Sequence, residues 1–423
     1  MKKLSLYLFI LLGILFYVQP SCAQNSGKIK YVFLFIGDGM GTNQVFLTEK
    51  FNDATHTDPL IFLNSNWSFG LSRTECADSN RITDSGAGGT AIACGQRTSF
   101  SAIGEYKGNA LESIAEYLHN KKNFRVGLIT TVPINDATPA CFYGHEPSRY
   151  NYDNLTNDMI ASHFEYFAGG GFHYGNKDTT KTIYRNLNSV INKLKENNFQ
   201  LVLNKQQEMG LGYTAKFPVF ELDTAIRNRM LKIKNITGED QDALPYVLDF
   251  PEYTMQLAKY TETAQSLLMN NTGFFLMVEG GKIDWACHGN DALTAIYELN
   301  AFNQAIKKAY EFYLQHPDNT LILITADHET GGMSQGEGYN KNNQNKSNGY
   351  ALFIKKLLKQ KNSSLFMNAD SIKQIQQEAL IGWTTSEHTS APVGVWAIGQ
   401  GSQSFSGIMK NSELKEKILK LIE

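Results

Sequence analysis

The 423-residue sequence predicts an α/β fold: a central, mostly parallel sheet with helices on both faces and a helix-rich insertion. Three observations carry this reading. Five apolar, β-branched or aromatic runs, at 31–36, 126–130, 274–278, 321–325 and 393–398, each lead into a polar or Gly-rich loop. Apolar residues at consecutive rather than alternate positions mark strands buried on both faces. Helical patterns fall between several of these runs, at 109–119 and 292–314, and another closes the chain at 412–422. The chain is long enough for one large core, and neither an internal repeat nor a long linker divides it.

Residues 1–23 read as a cleaved export signal. Lys2 and Lys3 precede the apolar stretch 4–18, and Ser21-Cys22-Ala23 resembles a small-x-small cleavage site. The stretch is short for a bilayer, so no membrane span is expected after cleavage. Lipid attachment at Cys22 is the lesser alternative, because Gln19, Pro20 and Ser21 fit it poorly. The mature chain, 24–423, reads as one domain, periplasmic or secreted. The polar segment at about 151–270, with its Gly169-Gly170-Gly171 turn, reads as an insertion or subdomain, and the Asn-rich 339–348 as a surface loop.

A formal net charge of -2 gives neither nucleic acid nor an acidic membrane surface a reason to bind. An anionic ligand must therefore be attracted locally. Cys76, Cys94, Cys141 and Cys287 remain after cleavage. An exported chain can pair them, and spacing leaves every pairing open; no C-x-x-C pair points to a zinc knuckle. Cys287, beside His288, reads as a buried bystander.

The run Thr83-Asp84-Ser85-Gly86-Ala87-Gly88-Gly89-Thr90-Ala91 puts Ser85 where a helix begins. Small residues allow close packing around its hydroxyl, and the N–H groups of a helix start favour an anion there. Serine at neutral pH needs a base or a metal to become a nucleophile. No G-x-S-x-G elbow surrounds it, but metal donors stand at the strand ends, where open α/β sheets gather ligands. Gly37-Asp38-Gly39-Met40-Gly41 follows the first strand and Asn135-Asp136-Ala137-Thr138-Pro139 the second. The third leads to Glu279-Gly280-Gly281-Lys282-Ile283-Asp284 and then His288. The fourth leads to Asp327-His328-Glu329-Thr330-Gly331-Gly332, and His388 precedes the last.

Asp284 and His288 are four apart, so one helical turn aims both at a single ion. Asp327 and His328 share an ion only if the strand has ended before them. A lone carboxylate at a strand end is an ordinary cap. Asp38, Glu279, Asp284, His288, Asp327, His328 and His388 together point to a polynuclear metal site. A dinucleotide turn at 37–41 is disfavoured, because Asp38 would repel a pyrophosphate. His119, His163 and His316 read as surface residues and His145 as structural.

In this order the motifs resemble those of the alkaline phosphatase family. The matching elements are the Gly-Asp-Gly-Met-Gly turn, Asp84-Ser85, Asp136-Ala137-Thr138-Pro139 with Arg149, Glu279-Gly280-Gly281, Asp284-x-x-x-His288, Asp327-His328 and His388-Thr389. The match runs from about residue 31 to the end and is thin across the insertion. It implies an alkaline phosphatase-like catalytic domain that hydrolyses small phosphate monoesters with broad specificity through a phosphoserine, and a possible homodimer. It also implies two zinc ions and one magnesium. One zinc would take Asp284, His288 and His388. The other would take Asp38, Asp327, His328 and, when activated, Ser85. Magnesium would share Asp38 and add Thr138 and Glu279. The donor types agree, since nitrogen-rich sets suit zinc and oxygen sets suit magnesium.

On the same resemblance Ser85 is the nucleophile, Arg149 the bidentate phosphate clamp and Asp84 its orienting partner. Asp136 and Trp285 tune the magnesium site; Trp285 stands where well-studied members carry lysine or histidine. The alternatives are a phosphodiesterase or sulfatase of the same superfamily, and a non-catalytic phosphate- or metal-binding protein. A sulfatase signature is absent around Ser85, and Arg149 with the third-metal ligands favours a monoester.

Overall fold

All five apolar runs are strands, and they lie in one ten-stranded sheet. The computed structural model describes residues 28–176, 182–203, 218–221, 243–336 and 369–423. The export signal 1–23, Cys22 and the loop 339–348 lie outside the described residues. In chain order the strands are β1 (Tyr31–Ile36), β2 (Ser68–Arg73), β3 (Arg125–Thr130), β4 (Tyr166–Ala168), β5 (Gln200–Val202), β6 (Val219–Glu221), β7 (Phe274–Glu279), β8 (Thr320–Thr325), β9 (Val393–Gly399) and β10 (Gly407–Lys410). Across the sheet they run β10-β2-β9-β8-β1-β7-β3-β4-β6-β5. Every pairing is parallel except the two made by β9.

Consecutive apolar residues feed two cores. Val32, Leu34 and Ile36 of β1 enter the core on one face, while Phe33 and Phe35 enter the other. All five are fully buried, and each side chain of this size contributes about 1.5–3 kcal/mol on leaving water. This two-sided burial is what the runs signalled.

The register sets the level of the site. Ile36 pairs with Thr325 on one side and Glu279 on the other, and Glu279 pairs with Thr130. The loops after β1, β3, β7 and β8 therefore leave the sheet at one height. Because β9 is antiparallel, its beginning lies at that same end. His388 precedes β9 and so reaches the cluster that the parallel strands reach with their carboxyl ends.

Three expectations need adjustment. The segment at about 151–270 supplies β4, β5 and β6, so its described part extends the sheet edge. The helix expected at 109–119 starts later, at Ile114–Lys122, where Ser113 and Glu116 form a reciprocal N-terminal cap. Asn109–Ala110 instead pairs with Glu105–Tyr106. His119 and His316 are half-buried rather than on the surface: His119 lies 3.5 Å from Glu165, and His316 packs on Tyr31 and Phe312. Cys76, Cys94, Cys141 and Cys287 are buried free thiols. Among the described residues, no helix is long and apolar enough to cross a membrane.

Candidate active site

Ser85 opens the helix Ser85–Cys94, capped by Asp84, whose carboxylate accepts from the N–H groups of Gly86 and Ala87. The cap thus takes up two of the N–H groups of the helix start. The following glycines serve close approach. A Cβ on Gly88 would lie 2.8 Å from the Asp327 carbonyl oxygen, and one on Gly89 would lie 2.9 Å from Cys141 Sγ. The helix start thus presses against the Asp327 loop on one side and the Thr138 helix (Ala137–Ala140) on the other.

Asp284 and His288 lie on the helix Lys282–His288, as their spacing requires. His288 Nε2 is 3.3 Å from Asp284 Oδ2 and 3.1 Å from His388 Nε2, and His388 Nε2 is 3.8 Å from Asp284 Oδ1. The opposite ring nitrogens are committed. His288 Nδ1 lies 2.5 Å from the Ser386 carbonyl oxygen and His388 Nδ1 lies 2.9 Å from that of Thr83. A carbonyl only accepts, so each Nδ1 carries a proton and each neutral ring turns an Nε2 lone pair towards the other. Two lone pairs and a carboxylate converging on one point fit a cation. Without one, a proton serves: burial opposes it, but the Asp284 hydrogen bond and charge hold His288 up to about 9.

The second set centres on His328, in the loop beyond the end of β8. Its Nε2 is 3.4 Å from Asp38 Oδ1, 3.4 Å from Asp327 Oδ2 and 3.2 Å from Ser85 Oγ. Its ring stacks on His388 at 3.7 Å. Asp38 faces both ways, since its Oδ2 accepts from Thr138 Oγ1 at 3.3 Å. Glu279 accepts from Thr130 beyond. The buried oxygens Asp38 Oδ1, Asp327 Oδ2 and Glu279 Oε1 have no hydrogen-bond partner. Burying a carboxylate oxygen unpaired is costly, and cations are the partners that suit such a cluster. Burial, then the neighbouring Asp327, Asp284 and Glu279 charges, push Asp38 well up. Burial, then the Asp136 and Asp327 charges, push Glu279 to about 8 against the Thr130 hydrogen bond, and burial with the Asp284 charge pushes Asp327 to about 7. Burial and the nearby His388 hold His328 well below its ordinary range.

Gly39 shows how closely these loops are laid. It has φ +67°, donates to Asp327 Oδ1 at 3.3 Å, and a Cβ there would lie 2.7 Å from both Asp284 Oδ1 and Thr330 Oγ1.

Arg149 enters from the loop after the Thr138 helix. Its Nη1 is 3.4 Å from Asp84 Oδ2 and its Nη2 is 3.0 Å from Asp136 Oδ1. Asp136 thus meets the arginine, and His173 Nε2 lies 3.9 Å away on its other oxygen. Burial works against its charge, but His173 and Arg149 hold its carboxyl well below the usual range. Trp285 forms part of the cleft wall with Tyr246. Both rings cover the buried Lys282 ammonium, at 4.4 Å and 3.6 Å.

Every sequence-predicted donor therefore lies in one cluster with Ser85, and Arg149 adjoins it. His145 has the structural place expected, between Glu116 and the Gly104 carbonyl. Sequence reading missed Thr330, whose hydroxyl contacts Asp284 and His328. It also missed Glu329, which accepts from Gln44, Gly332 and Thr389 and fixes the ribbon Glu329–Thr330 against His388–Thr389. Thr330 had a signal: it stands two residues from His328, which in extended backbone puts both on one side. His173 had none.

The family model described as alkaline phosphatase matches residues 29–423. "Alkaline phosphatase 4" of Bacillus subtilis is 30% identical over 445 residues, covering 95% of this chain and 90% of its own length. The alkaline phosphatase of Schizosaccharomyces pombe is 27% identical, covering 92% of this chain and 80% of its own. Among solved structures, the cold-active enzyme of a psychrophilic Shewanella superposes with a TM-score of 0.74 at 26% identity, over 93% of this chain and 100% of that one. That of the Antarctic bacterium TAB5 does so with 0.70 at 29% identity, over 94% and 99%. A substitution variant of the TAB5 enzyme, with a TM-score of 0.69 at 28% identity over 93% and 98%, has magnesium bound. The chain belongs to the alkaline phosphatase family of metal-dependent phosphomonoester hydrolases.

Proposed function

We propose that this alkaline phosphatase is an exported enzyme of broad specificity that acts through a phosphoserine on Ser85 at a site for two zinc ions and one magnesium. The observation that carries this is the position of Ser85 Oγ, 3.2 Å from His328 Nε2, between the two donor sets and beside Arg149. Asp284, His288 and His388 would hold one zinc, and Asp38, Asp327 and His328 the other. Asp38, Thr138 and Glu279 would hold magnesium. When bound, the cations supply the charge that acidifies the serine hydroxyl and stabilises the leaving oxygen.

The remaining work falls to the chain. The Asp84 cap fixes Ser85 at the first position of its helix, so the nucleophile needs no reorganisation before attack. Arg149 offers a planar fork to two phosphate oxygens, a geometry that lysine lacks. Asp84 and Asp136 hold that fork from behind and use part of its donor capacity. In-line attack by Ser85 Oγ then expels the alcohol, and water later releases phosphate from the serine. Thr138 and Glu279 keep the oxygen-rich set, so magnesium would be retained despite the combination of Asp136 with Trp285 at the two positions that tune its site. Residues 24–423 would form the single catalytic domain, with 151–270 as its insertion and 1–23 as its leader.

The test is hydrolysis of an aryl phosphate monoester and its matched diester by the zinc- and magnesium-loaded mature protein. Strong monoester preference is expected, with phosphoserine trapped by acid quench in the unaltered enzyme and lost in Ser85→Ala. Preferential diester cleavage, or a Ser85→Ala variant at full rate, would overturn the reading.

A further inference from the structure

We infer that Glu387 is a specificity-determining residue: its carboxylate disfavours monoesters whose leaving alcohol carries a negative charge and favours those whose leaving alcohol carries an ammonium group. The inference rests on the phosphomonoesterase reading above. The cleft at Ser85 has a volume of ≈ 580 Å³, and the carboxylates of its described wall are those of Asp84, Asp136, Asp284 and Glu387. The first three are committed. Asp84 and Asp136 hold Arg149, at 3.4 Å and 3.0 Å, and Asp284 meets His288 and His388 at 3.3 Å and 3.8 Å. Glu387 has neither duty. It is exposed in the cleft wall, and among the described residues no ion pair or hydrogen bond engages its carboxylate.

The backbone fixes where that charge stands. Glu387 N donates to Thr385 Oγ1 at 3.0 Å, and Gly331 N donates to the Glu387 carbonyl oxygen at 2.9 Å. Its neighbours on both sides serve one donor set: the Ser386 carbonyl receives His288 Nδ1, and His388 supplies Nε2. Burial lowers His288, the Asp284 hydrogen bond and charge raise it, and the Glu387 charge adds to the rise. The carboxylate therefore borders the half of the cleft built from Asp284, His288 and His388.

Ser85 Oγ stands at the other half, 3.2 Å from His328 Nε2. In-line displacement puts the leaving oxygen opposite the nucleophile, hence towards the half that Glu387 borders. The phosphate itself faces Arg149 and the donor sets, whereas a charge farther along the alcohol faces Glu387. In a partly solvated cleft, such a pair of charges changes a rate several-fold and loses its effect as salt is added. Lys282 supplies no opposite charge to the wall, because its ammonium is buried against Tyr246 and Trp285 and does not line the cleft.

The experiment uses the metal-loaded enzyme and three esters of primary alcohols: 2-aminoethyl phosphate, 2-hydroxyethyl phosphate and the phosphate ester of 3-hydroxypropanoate. At about pH 8 their leaving alcohols carry a positive, no and a negative charge. Each kcat/KM is divided by that of the neutral ester, which also controls for any loss of metal through the neighbouring His388. The ratios are then compared between the unaltered enzyme and Glu387→Gln, so that the intrinsic reactivities of the esters cancel. In Glu387→Gln the cationic ratio should fall about threefold and the anionic ratio rise about threefold, and Glu387→Lys should carry both further. At about 0.5 M salt these shifts should largely vanish. Ratios equal in all three proteins, or shifts indifferent to salt, would overturn the role of Glu387 while leaving the phosphomonoesterase reading intact. If no ester is cleaved, that reading fails instead. Calorimetric titration with the same esters then decides, and relative affinities unchanged by Glu387→Gln reject the inference.

Discussion

The Thr330 hydroxyl donates to Asp284 Oδ1 at 2.5 Å and lies 3.2 Å from His328 Nδ1. A hydroxyl has one proton. With that proton committed to Asp284, Thr330 Oγ1 can only accept from His328 Nδ1, which leaves the Nε2 lone pair facing Ser85, Asp38 and Asp327. One side chain thus orients a donor in each half of the site. Thr330→Val should weaken zinc retention about 10- to 100-fold in competition with a chelator, and Thr330→Ser should restore it. Equal retention in all three proteins would show that the contact is structural only.

Removing the cations should destabilise the fold. Asp38, Asp327 and Glu279 each keep one buried oxygen without a hydrogen bond; burial raises the proton affinity of all three, and the Asp327 charge adds to that of Asp38 and Glu279. A ligand present at about a hundredfold excess over its Kd stabilises by about 2.7 kcal/mol. Calorimetry should therefore show a lower Tm after chelation and recovery on adding zinc with magnesium. A Tm indifferent to chelator would count against cations as the partners of these oxygens.

A separate pH dependence should come from His145. Its Nε2 is 2.9 Å from Glu116 Oε1 and its Nδ1 is 2.8 Å from the Gly104 carbonyl oxygen. Both partners accept, so the ring carries two protons. The Glu116 hydrogen bond, opposed by burial and aided by the Gly104 carbonyl, holds it up to about 9. Its folded value lies above the unfolded value of about 6.5, so the stabilisation is complete below about pH 6.5 and is lost as pH rises through about 9. Glu116 is shifted downward, so its share is lost only as acid protonates it. Both side chains are partly exposed, which reduces the worth of the pair. His145→Gln should cost about 1–2 kcal/mol near neutral pH and lose most of that deficit above about pH 10 in denaturant unfolding. A pH-independent deficit would exclude the charged pair.

The parts legible in sequence were those with a local physical signature. Strands buried on both faces write consecutive apolar residues, and their ends are where donors collect. Asp38, Glu279, Asp284 and Asp327 could therefore be found by reading just past each run. β4, β5 and β6 were not legible, because each is three residues long in a polar segment and owes its strand form to the neighbour it pairs with. The direction of β9 left no mark in its composition, yet it explains why His388 had to precede that strand. Thr330 lay within the motif already read, but its part depends on Asp284, a residue on the helix Lys282–His288. His173 matters only through Asp136 and Tyr152, contacts that no local pattern encodes.

The four described thiols give the fold an independence from redox chemistry. Each is buried and unbridged, and burial raises every one of them, Cys94 to about 12. Thiolates, the species that attack disulfides and react with oxidants, are therefore scarce at these positions. No cross-link between them has to be formed, isomerised or protected for the native state to appear. The described chain can attain the same set of bonds on the reducing side of a membrane as on the oxidising side, without help from an oxidase.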